Sequence, residues 1–292
     1  MSEKQVNDRL LEMQEAFEKK LPTYSRQVKQ AFDLARARVA DIIVKHAKDG
    51  KVPKNRVNAL NSELSAVEAR LYRDLLSQTT IIIEDAATDA SEGLNKALVI
   101  AVGATILLAM NEEEEGSEAL TATGFLLAIG IGLLALIKKV LGTVLGRSGD
   151  DGLNLRDRLR KLAADIIADV RKTLRKSSNA SEDIADIQRK VAQIFGDVEW
   201  RVDRIVETEA PVAYRTAIAQ AAELSDLVEA LKIIDFPHGK RHEKHKCYEY
   251  ARANEHGMGK GVYPVTTRKI RNPHPQCRSR LVLVMKEGVL DA

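Results

Sequence analysis

The sequence contains little cysteine, and its long middle section contains no proline. Two cysteines, Cys247 and Cys277, occur among 292 residues, which excludes a disulfide framework. The first twenty residues carry charges throughout, so we expect no secretory signal peptide and assembly in a reducing cytoplasm. No proline occurs between Pro53 and Pro211, and this absence is typical of long helices because proline interrupts them.

Apolar residues at spacings of three and four predict a mainly α-helical chain. The first predicted helix covers about residues 3–20, and a second one follows it and ends before Lys48. Further helices are predicted at about residues 58–87, 154–174, 182–195 and 198–234. Asn154 is the predicted N-cap of its helix, and residues 175–181 are predicted to form a loop. The last helix contains Pro211, so we expect a kink or restart near Thr208–Pro211.

The centre of the chain is its most apolar part. Residues 97–110 and 119–137 carry no charge and flank an acidic tip, a pattern that predicts a hydrophobic helical hairpin. Two interpretations stay open. The hairpin is either buried in a helical bundle or an oligomer, or it contacts a membrane, because the second arm is long enough to span one. Gly124, Ala128 and Gly132 lie four residues apart and would permit close helix contact.

These patterns predict a long helical body with a central hydrophobic helical hairpin, followed by a small α+β C-terminal module at about residues 238–292. The predicted regions are an N-terminal helical region (1–95), the hairpin (96–146), a helical region after a glycine-rich linker (147–197) and the C-terminal domain (198–292). In the module, the apolar runs 262–265 and 281–285 have strand character. A small module of this kind needs an additional stabilising interaction, such as a bound metal ion or packing on the preceding helix.

The C-terminal module carries most of the groups that are capable of specific chemistry. Five of the six histidines and both cysteines lie between His238 and Cys277. Residues 238–292 contain 12 Lys or Arg against 5 Asp or Glu, a net charge of +7, so the rest of the chain sums to −4. This excess favours contact with nucleic acid phosphate or with an acidic partner, and a solvated basic face is the alternative. The candidates for DNA contact are Lys240, Arg241, Lys244, Lys246, Arg268, Lys269 and Arg271.

The order of motifs in this region resembles that of a known family. Residues 204–210 (RIVETEA) are followed by Ala213-Tyr214, a segment with Cys247, a GVYP turn at 261–264 and PHPQCRS at 273–279. This order resembles the C-terminal domain of phage head morphogenesis proteins, the Mu F-like minor head proteins of tailed phages, over roughly residues 198–285. The resemblance assigns structural roles in that domain to Thr208, Glu209, Tyr214, Gly261, Pro264, His274, Pro275, Cys277 and Arg278.

The chain departs from the family pattern at three positions. One lies in the predicted helix 198–234, and the other two are cysteine positions that bear on metal binding. Glu207 stands where arginine is usual, Tyr250 replaces the second cysteine of a Cys-x-x-Cys pair, and Ser279 replaces the last cysteine. A four-cysteine zinc site is therefore excluded.

A mixed zinc site from His245, Cys247, His274 and Cys277 stays open, because zinc accepts two nitrogen and two sulfur donors. In the alternative interpretation His274 makes a local hydrogen bond and Cys277 is a core residue. His238, His242 and His245 then lie on a solvated basic helix.

The resemblance implies a structural protein of the virion and not an enzyme. Such proteins lie inside the head near the portal, are present in few copies, and act in head assembly and in DNA packaging or delivery. The expected partners are the portal, the major capsid or scaffolding proteins, phage DNA and further copies of the chain, with the host cytoplasm as the place of assembly. Two other functions are considered: a metal-dependent nuclease of the His-Asn-His type, and a membrane-active protein ejected with the genome that uses residues 97–137.

Overall fold

The computed structural model describes residues 2–110, 134–149, 152–236 and 242–287. The chain is mainly helical with a small three-stranded antiparallel sheet near its C-terminus, which confirms the predicted fold class. The helices are α1 (Glu3–Glu18), α2 (Leu21–His46), α3 (Val57–Met110), α4 (Leu155–Asn179), α5 (Ile184–Gly196), α6 (Glu199–Leu224) and α7 (Lys246–Arg252). Residues 134–146 are also helical, and short 3-10 helices occur at Lys54–Arg56 and His242–Lys244. The strands are β1 (Val228–Ile234), β2 (Val262–Pro264) and β3 (Arg280–Met285).

The described residues form two compact units, and each is assembled from segments that are distant in sequence. The first unit, called here the sheet unit, contains residues 1–21, 82–144 and 207–292. The second, called the helical unit, contains residues 22–81 and 145–206. The division of the chain into four consecutive regions stays a prediction.

Side-chain caps explain where two of the helices begin. Ser2 accepts a hydrogen bond from the backbone of Gln5, whose side chain in turn accepts one from the Ser2 backbone, which forms a capping box at α1. Asn154 caps α4 as predicted, since its side chain accepts a hydrogen bond from the Asp157 N–H. The apolar stripe that predicts α1 consists of Val6, Leu10, Met13 and Phe17. It is also confirmed, because Val6, Leu10 and Phe17 are buried and Met13 is half-buried.

Two predicted helix boundaries are wrong because helices continue where a break was expected. Helix α3 has 54 residues and runs through the first hairpin arm at 97–110, whereas the prediction ended it near residue 87. Helix α4 extends through most of the predicted loop at 175–181 and ends at Asn179. Ser177 and Ser178 are buried and bonded to other groups, so tertiary contacts hold the last turn in helical form.

Only part of the predicted hydrophobic hairpin can be compared with the structure. Its first arm is helical, and residues 134–137 of the second arm belong to the helical stretch at 134–146. The remainder of the second arm lies outside the described residues. Among the residues that the structure describes, no helix has the length and apolar character needed to cross a membrane.

The largest error of the sequence prediction concerns residues 225–234, which were assigned to the last long helix. Helix α6 ends at Leu224, and Val228–Ile234 form the central strand β1. The strand order is β2-β1-β3, and both pairings are antiparallel. Backbone bonds to two neighbours outweigh the weak helical pattern of this segment. Of the kink or restart predicted near Thr208–Pro211, the restart is wrong, because α6 continues through Pro211.

Helix α1 covers the outer edge of β3 with polar side chains. The Asn7 amide donates to the Leu283 carbonyl and accepts from the Leu283 N–H, with both distances 2.9 Å. Glu3 accepts from the Met285 N–H at 3.2 Å, and Gln14 donates to the Ser279 carbonyl at 3.3 Å. These side chains take the place of a further strand, so the edge of the sheet is not left open for pairing.

We expect Asn7→Ala to lower the free energy of unfolding by about 1–3 kcal/mol, because a buried donor and acceptor of β3 lose their partners. Chemical denaturation of the full chain measures the change. Asp8→Ala removes an exposed neighbour on the same helix and should change stability by less than about 0.5 kcal/mol. Equal effects of the two substitutions would contradict the role assigned to Asn7.

Candidate metal site

The four predicted metal ligands come from two parts of the C-terminal module. His245 is the N-cap residue of α7, and Cys247 lies in the first turn of that helix. His274 and Cys277 lie in the loop before β3. Helix α7 packs against β1, and β1 pairs with β3. The central strand therefore brings together two segments that are nearly thirty residues apart in the sequence.

His245, Cys247 and His274 form a group that could hold a metal ion. Their ligand atoms all lie within 4.8 Å of one another, and the Cys247 Sγ lies 3.2 Å from the His274 Nε2. Cys247 is buried, and both histidines are half-buried. Imidazole nitrogen and thiolate sulfur are ligands for divalent transition metals, so the chemistry of this donor set fits such an ion.

Cys277, the fourth predicted ligand, is not part of this group of three. Both cysteines are free and buried, and the Cys277 Sγ lies 3.1 Å from the Ser279 Oγ. Interactions with the Cys247 and His274 side chains hold the pKa of Cys277 well below its usual range, whereas the interaction with Cys277, together with burial, raises the pKa of Cys247. The thiolate form of Cys277 is therefore favoured, and the thiolate is the form that binds metals.

A backbone contact orients the imidazole of His274. Its Nδ1 lies 2.8 Å from the carbonyl oxygen of Pro275, a distance that fits Nδ1 as the donor and leaves Nε2 facing Cys247. The hydrogen bond with Cys277 raises the pKa of His274. A second partner that fixes ring orientation in this way is characteristic of histidines that bind metals.

Helix α6 holds the loop that carries His274 and Cys277. Gln276 has a φ of 54°, a left-handed conformation that needs support in a residue other than glycine. Its N–H donates to the Thr208 Oγ1 at 3.2 Å, and its side chain donates to Glu207 at 2.6 Å. The glutamate that departs from the family pattern thus has a partner in the loop.

Arg215 fixes the same loop from inside the module. Its side chain is 1% exposed, and it donates to three backbone carbonyls. The acceptors are Arg271 at 2.9 Å, Cys277 at 2.9 Å and Ser279 at 3.2 Å. The planar guanidinium of Arg215 therefore fixes the backbone on both sides of Cys277.

The other motif residues have structural positions in the module. Tyr214 is buried and stacks on Phe17 of α1, with ring centroids 4.6 Å apart. Burial raises the pKa of its phenol far above the usual range. Glu209 is buried in α6, Pro264 ends β2, and Arg278 is exposed.

His242 is a neighbour of the site that the sequence did not identify. The interpretation of this histidine as a solvated basic residue is wrong, because it is 9% exposed. Its Nε2 lies 3.9 Å from the Cys247 Sγ and 3.8 Å from a carboxylate oxygen of Asp235. No sequence signal links Asp235 to His242, since they lie on different elements and meet only in the folded module.

The structure also sorts the seven candidates for DNA contact. Lys244, Lys246 and Arg268 are exposed, whereas Lys240 and Arg241 lie outside the described residues. Lys269 pairs with Glu255 and lies over two tyrosine rings. Arg271 is 7% exposed and pairs with Glu223, so its guanidinium has almost no surface for a phosphate. The assignment of Arg271 to DNA contact is therefore corrected.

No protein-family model, no curated protein and no solved structure matches this chain.

Proposed function

We propose that this chain is a minor head protein of a tailed phage, a structural component of the virion that lies inside the head near the portal. One observation supports the proposal. The residues that carry the family resemblance are spread over about seventy positions, yet they meet in one small module. Thr208 bonds to the loop of His274 and Cys277, Arg215, directly after the motif residue Tyr214, bonds to the same loop, and Gly261 bonds to β1.

In this proposal the chain acts through contacts and not through catalysis. The partners are the portal, the major capsid or scaffolding proteins and phage DNA, and the protein is present in few copies. It assembles in the host cytoplasm and takes part in DNA packaging or delivery. The long helices offer extended surfaces for such partners.

Mass spectrometry of purified particles tests this proposal. Particles of a phage that encodes the chain should contain it after gradient purification, at a small fraction of the abundance of the major capsid protein. A nonstructural protein of the same phage serves as the negative control for contamination. Detection of the chain in the lysate but not in the particles would overturn the proposal.

We further propose zinc as the metal, with Cys277 completing a tetrahedral site of two nitrogen and two sulfur donors. The observation behind this assignment is the grouping of the ligand atoms of His245, Cys247 and His274 within 4.8 Å of one another. Interactions with Cys247 and His274 also lower the pKa of the Cys277 thiol. A closed site with four protein ligands is structural, and it would join α7 to the loop before β3. The α+β module is small, so such a link would stabilise it.

The purified protein is expected to hold about one equivalent of zinc. Cys247→Ser and Cys277→Ser should each reduce the zinc content several-fold, because each removes one of two thiolate ligands. Elemental analysis by inductively coupled plasma mass spectrometry after dialysis measures the content. His256→Ala removes an exposed histidine of the same module and should leave the zinc content unchanged.

Two results would contradict the zinc assignment in different ways. A wild-type protein without bound metal would overturn the site itself. Full zinc retention in Cys277→Ser would restrict the site to His245, Cys247 and His274. Neither result bears on whether the chain is found in particles, so the two proposals can fail separately.

A further inference from the structure

The helical unit has a concentration of positive charge that the sequence does not reveal. Two segments distant in the chain supply it, residues 48–56 after α2 and residues 172–176 in the last turns of α4. Seven of their side chains are cationic and exposed, namely Lys48, Lys51, Lys54, Arg56, Lys172, Arg175 and Lys176. We call this set the basic pole.

Specific contacts bring the two segments together. The Ser178 hydroxyl donates to the Val52 carbonyl at 2.9 Å, and the Ile184 N–H donates to the Gly50 carbonyl at 3.0 Å. The 3-10 helix at Lys54–Arg56 packs against α4. An isolated backbone bridge also joins Lys51 to Asp183. The turn after α2 therefore lies on the turn between α4 and α5, and the cations of both segments share one end of the unit.

The charges of the basic pole have no carboxylate partners within the described ranges, whereas many others in the helical unit do. Nine lysine and arginine side chains elsewhere in this unit have such partners, as in Lys45 with Glu63 or Arg171 with Glu68. Others, such as Arg26 and Arg204, have none in the part of the chain that the structure describes. None of the seven cations of the pole has a carboxylate oxygen within 4.0 Å among the described residues. Segments 48–56 and 172–183 contain these seven cations and three acids, which gives a net charge of +4.

Two details increase the uncompensated positive charge and the repulsion between cations at the basic pole. Glu182, one of the three acids, is already bonded to Lys190 and to Ser177, so its charge is engaged inside the unit. Lys48 and Lys51 form a bridged backbone pair, and like charges placed opposite each other are destabilising. A bound anion would relieve this repulsion.

We propose that the basic pole binds the phosphate backbone of double-stranded DNA without reading its sequence. Closely spaced cations match a regular row of phosphates, and each neutralised phosphate releases condensed counterions. Apart from the methyl group of Ala180, the other exposed side chains of these segments are acidic or small and polar, such as Asn55, Asn179 and Ser181. Short polar groups of this kind contact phosphate and sugar. No large apolar side chain is exposed in either segment, whereas surfaces that lie on a membrane use such side chains.

The inference locates the DNA contact that the proposed function includes, but it does not rest on the proposed role in the phage head, because it depends only on the charges of the helical unit. It also assigns DNA contact to a different place from the one that the sequence suggests. In the module, four of the basic side chains are paired with acidic groups of the same unit, namely Arg252, Lys269, Arg271 and Arg280. The module therefore has less free positive charge than its sequence indicates.

Binding of a fluorescent DNA duplex of random sequence to the full chain tests the proposal. The pole variant carries Lys51→Gln, Lys54→Gln, Arg175→Gln and Lys176→Gln. The control variant carries Lys4→Gln, Lys19→Gln, Lys260→Gln and Lys286→Gln, four exposed residues of the sheet unit, and has the same change in charge. Fluorescence anisotropy between about 50 and 200 mM salt gives both the affinity and its salt dependence.

We expect the pole variant to bind at least about tenfold more weakly than wild type, with a salt slope smaller by about 3–4, since each lost phosphate contact reduces it by about 0.9. The control variant should stay within about twofold of wild type. An equal loss in both variants, or a wild-type protein that does not bind the duplex, would overturn the proposal. Binding of wild type to vesicles of phosphatidylserine and phosphatidylcholine but not to the duplex would overturn it in favour of a lipid surface.

Discussion

Replacing Arg215 with methionine is expected to lower the free energy of unfolding by about 3–5 kcal/mol. Methionine fills much of the same space, but it leaves the carbonyls of Arg271, Cys277 and Ser279 without the donor that they share. The Ser279 carbonyl keeps the Gln14 amide as a donor, so two buried carbonyls lose their partner, at about 1–3 kcal/mol each. Since these carbonyls lie on either side of Cys277, the loop of the candidate metal site should lose its fixed path as well.

Denaturant unfolding of the full chain measures this effect, and two variants make its cause clear. Arg204→Met replaces an exposed arginine of the same helix and should change stability by less than about 0.5 kcal/mol. Arg215→Lys keeps the charge but loses the planar fork, so an intermediate loss is expected. If Arg215→Met were as stable as Arg204→Met, the three carbonyl bonds would not hold the loop.

Gly261→Ala is expected to cost about 2–5 kcal/mol, for two separate reasons. Gly261 has a φ of 74°, and this left-handed conformation costs about 1–2 kcal/mol in a residue with a side chain. A Cβ at this position would also lie 2.8 Å from the Ala251 carbonyl oxygen and 3.0 Å from that of Ile233. Both obstacles are backbone atoms, so the end of α7 and strand β1 would have to move apart, with a cost of about 1–3 kcal/mol.

Gly257 offers a matched control for this substitution. It has nearly the same φ, 71°, but a Cβ there would meet nothing within 4 Å. Gly257→Ala should therefore cost only about 1–2 kcal/mol, the backbone part of the penalty. The difference between the two variants in the same unfolding experiment isolates the close approach of α7 to β1. Equal losses would show that this approach does not constrain residue 261.

The candidate metal site could be predicted in part, because its residue types are rare in the chain. Two cysteines and a histidine-rich tail leave few combinations of nitrogen and sulfur donors, and the structure brings His245, Cys247 and His274 together as predicted. The surroundings could not be predicted in the same way. His242 has a polar ring that is common on surfaces, and only the packing of the module places it beside Cys247 and Asp235.

The fold was predictable where local patterns were strong and failed where pairing decided the outcome. The stripe of α1 and the cap of α4 are local features, and both are confirmed. Segment 228–234 has apolar residues that suit either a helix or a strand. Strands β2 and β3 bond to both of its edges, and a pattern within one segment carries no information about such partners.

The sequence by itself determined the mainly helical class, the strand character of 262–265 and 281–285, and the set of rare metal-binding side chains. These follow from side-chain spacing and residue type, which act over short distances along the chain. Only the tertiary structure decided which charges remain available. It paired Arg271 and Arg280 of the module with acidic groups, and it joined two distant segments into the basic pole. Net charge adds along a sequence regardless of position, whereas binding depends on which charges lie together and unpaired in space.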